Sequence, residues 1–198
     1  MRHGTAPRRP LPLSVALFVA LGAAACGHRG ADDPALRALA RILQPGDRVV
    51  LARTLDPDAD DRFVAVVRTA AGKQELRLYE RTGGRRDYVL AHKEQQGDEF
   101  HNLVLEDVDG DGREEIVTTW TGGHLELLDV IARGADGSYR SLFQNAGQEI
   151  ERRYGQGGVV EFWITSRTYQ EQAGQPPTYD TVVYRWDGKK FSEVPKKR

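Results

Sequence analysis

The sequence predicts an all-β fold of three four-stranded units, forming a partial propeller or a twisted β-sandwich, with one short N-terminal helix. Short runs of apolar residues alternate with polar ones, as strands require. The 198 residues include 21 glycines, several at hairpin-turn positions as Gly-Gly or Asp-Gly. A weak internal repeat of roughly 50 residues points to blade-like units. The predicted units are 47–98, 99–147 and 148–198, and three blades are too few to close a propeller.

Residues 1–25 predict an export signal that lies outside the fold. Three arginines form a basic start, and the apolar run 11–25 is too short to span a membrane. Without this segment, acidic residues outnumber basic ones by four. That balance argues against nucleic acid as a partner, since nucleic-acid binding calls for a basic patch.

The only cysteine, Cys26, follows this apolar run directly. The stretch Leu21–Gly27 resembles a bacterial lipoprotein box, although Ala23 stands where that box usually has leucine. The resemblance implies a lipid on Cys26 that holds the chain to the membrane, in the outer membrane or on the periplasmic face of a bacterial envelope. Ordinary signal-peptide cleavage, leaving a free thiol, is the alternative.

Residues 26–46 predict a linker and a short helix over Pro34–Leu43. Asp33 can cap the helix, Pro34 suits its first position, and Pro45 with Gly46 ends it. Four apolar residues fall on one face, which favours packing on the β-domain over partner binding.

The domain 47–198 predicts twelve strands in three groups of four. The first group is Arg48–Arg53, Phe63–Thr69, Glu75–Tyr79 and Tyr88–His92. The second group is His101–Glu106, Glu115–Trp120, Leu125–Ala132 and Tyr139–Gln144. The third group is Glu149–Arg153, Val159–Thr165, Thr181–Trp186 and Phe191–Val194.

The segment 107–115 predicts a Ca²⁺ site in the middle unit. Acidic side chains occupy loop positions 1, 3, 5 and 9, at Asp107, Asp109, Asp111 and Glu115, and Gly112 occupies position 6. Calcium takes six to eight oxygen ligands, which closely spaced carboxylates supply. Such carboxylates repel one another unless a cation is present. A solvated acidic turn without an ion is the alternative.

The flanking segments read as strands, and position 12 is Thr118, which argues against an EF-hand. The loop resembles the strand-loop-strand calcium site of FG-GAP/VCBS repeats, which form integrin-type propeller blades. The resemblance is specific over the middle unit only. It implies side-chain ligands from Asp107, Asp109, Asp111 and Glu115 and a backbone carbonyl ligand from Arg113.

The other two units carry weaker versions of this loop or none. In the first unit, Asp56, Asp58 and Asp60 keep the first three ligand positions, but the glycine and the last acid are missing. We interpret this loop as a decayed copy of the calcium loop, and the sequence leaves open whether it binds a second ion. The corresponding stretch of the third unit, 155–158, contains no acid, and we expect no metal there.

The remaining polar and aromatic residues predict no catalytic site. The histidines lack the spacing of a zinc site, and no activated nucleophile is evident. We expect the three tryptophans to pack on strands. The irregular stretch 166–178 contains Arg167 and Tyr169, which could form an interaction loop. A flexible hairpin extension is the alternative reading.

Together these features predict a calcium-binding, non-enzymatic envelope lipoprotein that acts as a binding or interaction module. Its expected partner is an envelope protein or a glycan. The alternative is a periplasmic inhibitor of a lysozyme-like cell-wall hydrolase. The chain resembles small exported lipoproteins that inhibit such enzymes in its size, its predicted anchor and its acidic loop. A hydrolase is the third class, and it lacks any nucleophile or metal-water arrangement in the sequence.

Overall fold

The computed structural model describes residues 34–55, 61–81, 87–168 and 176–195. Within these residues the chain forms one α-helix, twelve β-strands and one short 3₁₀ turn. The strands form three antiparallel sheets, and each sheet consists of four consecutive strands in sequence order. This arrangement confirms the predicted all-β fold of three four-stranded units with one N-terminal helix.

The helix and the first sheet come first in the chain. Helix α1 spans Pro34–Ile42, and Pro34 suits a first helical turn because its missing N–H would have no partner there. Sheet 1 contains β1 (Arg48–Thr54), β2 (Arg62–Arg68), β3 (Gln74–Arg81) and β4 (Tyr88–Glu94).

Sheets 2 and 3 follow with the same order of pairing. Sheet 2 contains β5 (Glu99–Glu106), β6 (Glu115–Gly122), β7 (Leu125–Arg133) and β8 (Tyr139–Gly147). Sheet 3 contains β9 (Glu149–Tyr154), β10 (Val160–Thr168), β11 (Thr178–Trp186) and β12 (Phe191–Glu193).

Alternation along β6 shows how the sheets stack. Ile116 and Trp120 belong to an apolar cluster shared with Val64 and Leu78 of sheet 1. Val117, from the opposite face of β6, belongs to a second cluster shared with sheet 3. Successive side chains of a strand point to opposite faces, so sheet 2 lies between sheets 1 and 3.

Helix α1 covers the other face of sheet 1. Leu39 is fully buried there and packs in a cluster with Phe63 and Tyr79. The predicted packing of the helix on the β-domain therefore matches the contacts. In the residues described, no helix has the length and apolar character needed to cross a membrane.

Several strands run further than the alternation predicted. β8 continues through Asn145 and Ala146 to Gly147, because these residues pair with Leu128, Leu127 and Glu126 of β7. β11 begins at Thr178, three residues before the predicted start, where it pairs with Thr168. Pairing with a long neighbouring strand outweighs the weak β-propensity of Asn and Gly.

Candidate metal centre

The acidic loop 107–115 joins β5 to β6 at one end of sheet 2. Glu106 and Glu115 are the last paired residues of the two strands. Within the loop, Val108 is only 2% exposed and packs in the cluster between sheets 2 and 3. This apolar anchor fixes the start of the loop against the core.

Asp107 organises the backbone of the loop. Its Oδ1 accepts a hydrogen bond from the Gly110 N–H at 2.7 Å, and its Oδ2 accepts one from the Gly112 N–H at 3.0 Å. Both glycines have positive φ, 79° and 86°, which residues with a Cβ rarely adopt. The turn therefore depends on glycine at the positions where the sequence supplies it.

Three carboxylates converge in this loop. Asp107, Asp109 and Glu115 each offer an oxygen, and these oxygens lie within 4.8 Å of one another. Asp111 is outside this group, because its carboxylate accepts hydrogen bonds from the Arg113 side chain, one of them from Nε at 2.9 Å. The structure thus brings together three of the four predicted acidic ligands.

Burial and the neighbouring charges both shift the pKa values of the loop acids. Burial, and after it the charges of Asp109, Asp111 and Asp107, together raise the pKa of the Glu115 carboxyl to about 7. Burial also raises the pKa of Asp109. The hydrogen bond from the Arg113 side chain lowers the pKa of Asp111. A nearby cation favours the ionised form of a carboxyl, so a bound metal would reverse the two upward shifts.

An all-oxygen set of carboxylates suits a hard cation such as Ca²⁺. Asp107, Asp109 and Glu115 are the residues that could hold it. Asp111 would join only if its exposed ion pair with Arg113 opened, and exposed ion pairs contribute little to stability.

Other predicted site residues lie outside the described part of the chain. These are Cys26, Tyr169 and the three acids of the decayed copy, Asp56, Asp58 and Asp60. Arg167 is described and exposed near the end of β10, where its backbone N–H donates to Gln148 Oε1 at 2.8 Å. Its predicted contact role stays a prediction.

A buried acid in β7 was missed by the sequence reasoning. Asp129 is fully buried between sheets 1 and 2. Its oxygens accept hydrogen bonds from Gln96 Nε2 at 2.8 Å and from Ser141 Oγ at 2.5 Å. Burial, and after it the neighbouring Glu94, raise its pKa to about 7. The signal in the sequence was the acid within the otherwise apolar stretch 127–132 of β7.

Near this acid, His92 reaches Glu94, with 3.5 Å between Nε2 and Oε2. Burial lowers the pKa of His92. Among the described residues, the side chains close enough to share a metal are those of the acidic loop, and none of them is a histidine.

Trp120 is fully buried and donates from Nε1 to Thr118 Oγ1 at 3.1 Å, so it packs as predicted.

Comparison of the chain with protein-family models, with curated proteins and with solved structures finds no significant match.

Proposed function

We propose that the chain is a calcium-binding, non-enzymatic module of a bacterial envelope that acts by binding another envelope component. The observation that supports this proposal most is the convergence of Asp107, Asp109 and Glu115 in a loop between two strands. Carboxylates held this close repel one another. A divalent cation bound between them would remove this repulsion and be coordinated by their oxygens.

The proposed metal would act as a structural clip. Asp107 directly follows β5, and Glu115 is the first residue of β6. An ion shared between them would tie the two strands together at the end of sheet 2. Because the ion would bind the folded loop and not the unfolded chain, it would stabilise the fold by mass action.

The proposed location depends on the sequence of residues 1–26, with lipid on Cys26. The proposed resemblance to FG-GAP/VCBS repeats is supported by the loop sequence between two strands. An interaction role agrees with a scaffold of stacked sheets, since binding residues concentrate on loops that a rigid scaffold positions.

Thermal unfolding with and without calcium tests the metal. Extracytoplasmic calcium sites have Kd values of roughly 10⁻⁴–10⁻³ M. At about five times Kd the ion stabilises the fold by roughly 1 kcal/mol, or about 2–4 °C in Tm. Asp109→Asn should abolish the rise, since it removes a charge but keeps the oxygen that accepts from the Asp111 N–H.

The matched control is Asp136→Asn in the β7–β8 turn of the same sheet. Asp136 Oδ1 accepts hydrogen bonds from the Ser138 N–H and Oγ–H, which asparagine can keep. This variant should retain the full calcium response. A Tm unchanged by calcium and by EDTA in the wild-type protein would show that the loop is only an acidic turn.

A further inference from the structure

A cleft of about 300 Å³ opens between sheets 1 and 2, beside the end of the acidic loop. Leu55 and Leu105 contribute apolar walls, and Ile116 and Ile131 form a floor that is almost fully buried. Ligand sites typically start at about this volume, and here four aliphatic side chains share the lining with five charged ones. The cleft can therefore bury the apolar part of a small molecule.

Three guanidinium groups surround this apolar floor. Arg62, Arg113 and Arg133 all line the cleft, against two acids, Glu114 and Glu115. The Glu115 carboxylate is engaged in the loop, where it accepts the Val108 N–H and groups with the other loop acids. Arg113 is ion-paired with Asp111 and Arg133 with Glu80, so the cleft offers an acceptor the N–H donors that these pairs leave over, and not an excess of positive charge.

The position of the Arg133 side chain is fixed by Glu80. Its Nε donates to Glu80 Oε1 at 2.8 Å, and the Tyr139 hydroxyl donates to the same oxygen at 2.7 Å. Glu80 itself is only 8% exposed. A guanidinium has five N–H donors, so contact with one carboxylate leaves donors for a second acceptor. A side chain fixed in this way loses little entropy when it binds a ligand.

We propose that this cleft binds a small molecule with a carboxylate joined to an apolar body. The flat fork of arginine matches a carboxylate with two parallel hydrogen bonds. The leucine and isoleucine surface beneath would take the apolar body. The same chemistry occurs at the free carboxyl end of a peptide and in a short fatty acid, and the choice of probe separates these sources.

The arginine Nε–H resonances of the purified protein report binding directly. N-acetylleucine represents the peptide end and hexanoate the fatty acid, while N-acetylleucinamide lacks the carboxylate. At least one of the two acids should shift the Arg133 and Arg62 resonances in a saturable manner, and the amide should not. Tighter binding of N-acetylleucine identifies the peptide source, and tighter binding of hexanoate identifies the fatty-acid source.

Substitution then locates the site. Arg62→Gln should weaken binding of the preferred acid by at least about tenfold, as expected for loss of a charge-assisted hydrogen bond. Arg140→Gln, at an exposed position of β8, is the matched control and should bind like the wild type. Arg133→Gln should weaken binding as well. The Tm of this variant shows whether loss of the ion pair with the buried Glu80 destabilises the fold.

Saturation absent up to about 10 mM for both acids, or equal binding of acid and amide, would overturn the proposal. Calcium titration of the same samples keeps the two proposals separate. A calcium response without carboxylate binding would remove only the cleft proposal. Carboxylate binding without a calcium response would remove only the metal proposal.

Discussion

Glu115 Oε2 accepts a hydrogen bond from the Val108 N–H at 3.0 Å, which joins the last acid of the loop to its second residue. Both residues are buried, at 3% and 2% exposed. The loop is thus closed by the protein itself, with Glu115 on the core side and Asp107 and Asp109 facing it. A metal would find its ligands already gathered, which lowers the entropic cost of binding.

Glu115→Gln separates the structural role of this residue from its charge. Glutamine keeps an oxygen for the Val108 N–H and removes a buried negative charge that faces other acids. Without calcium, we expect the variant to be at least as stable as the wild type in urea unfolding. With calcium, we expect it to gain no stability. A variant that unfolds far more readily than the wild type without calcium would show that the charge itself supports the loop.

Asp129→Asn tests the buried acid between sheets 1 and 2. The raised pKa of Asp129 means that the unfolded chain releases this proton at lower pH than the folded chain does. The stability of the wild type should therefore fall as pH rises from about 4 to about 7, and level off above that range. Urea unfolding over this range should give a flatter profile for Asp129→Asn.

The matched control for that profile is Glu99→Gln, an exposed change on β5 of the same sheet. This variant should follow the wild-type profile. Parallel profiles for wild type and Asp129→Asn would mean that Asp129 is not the source of the slope.

Leu39→Ala tests the packing of helix α1. Leu39 is fully buried against sheet 1, so truncation leaves a cavity. We expect a loss of about 2–5 kcal/mol in the free energy of unfolding, measured in urea. Arg41→Ala, exposed on the same helix, should change stability by less than about 0.5 kcal/mol. Equal, small effects of both would indicate that the helix contributes little to the β-domain.

Cys26→Ser tests the proposed anchor. The apolar run that ends at Cys26 predicts lipid on its sulfur, and serine cannot carry that thioether. The wild type should sediment with membranes after cell fractionation, and the variant should appear in the soluble periplasmic fraction. Ser14→Ala, inside the apolar run, is the control and should stay with the membranes. A wild-type protein found wholly in the soluble fraction would contradict the anchor.

The acidic loop shows which features of a site can be predicted from local sequence alone. Its spacing predicted a turn between two strands, and the structure places Asp107, Asp109 and Glu115 together there. The ion pair between Asp111 and Arg113 was not foreseen, because two residues so close in sequence can point to one another or apart. Short-range patterns define the turn, whereas side-chain partners depend on rotamers that the pattern does not contain.

Contacts between sheets were beyond the reach of the sequence. Asp129 finds Gln96 across 33 residues of chain, and Arg133 finds Glu80 across 53. Alternation indicates which face of a strand a residue occupies but not which strand covers that face. The same gap concealed the cleft, whose lining comes from sheets 1 and 2 together.

The meander pairing of the sheets has a consequence for how the chain folds. In the described residues, each strand pairs only with its immediate neighbours in sequence, so each sheet is a meander of four strands. Such local pairing lowers contact order, which speeds folding relative to all-β proteins with exchanged strands. We expect the hairpins to form early and the stacking of sheet 2 between its neighbours to limit the rate. Substitutions at Trp120, in the middle of that stack, should then slow folding more than equally costly substitutions on helix α1.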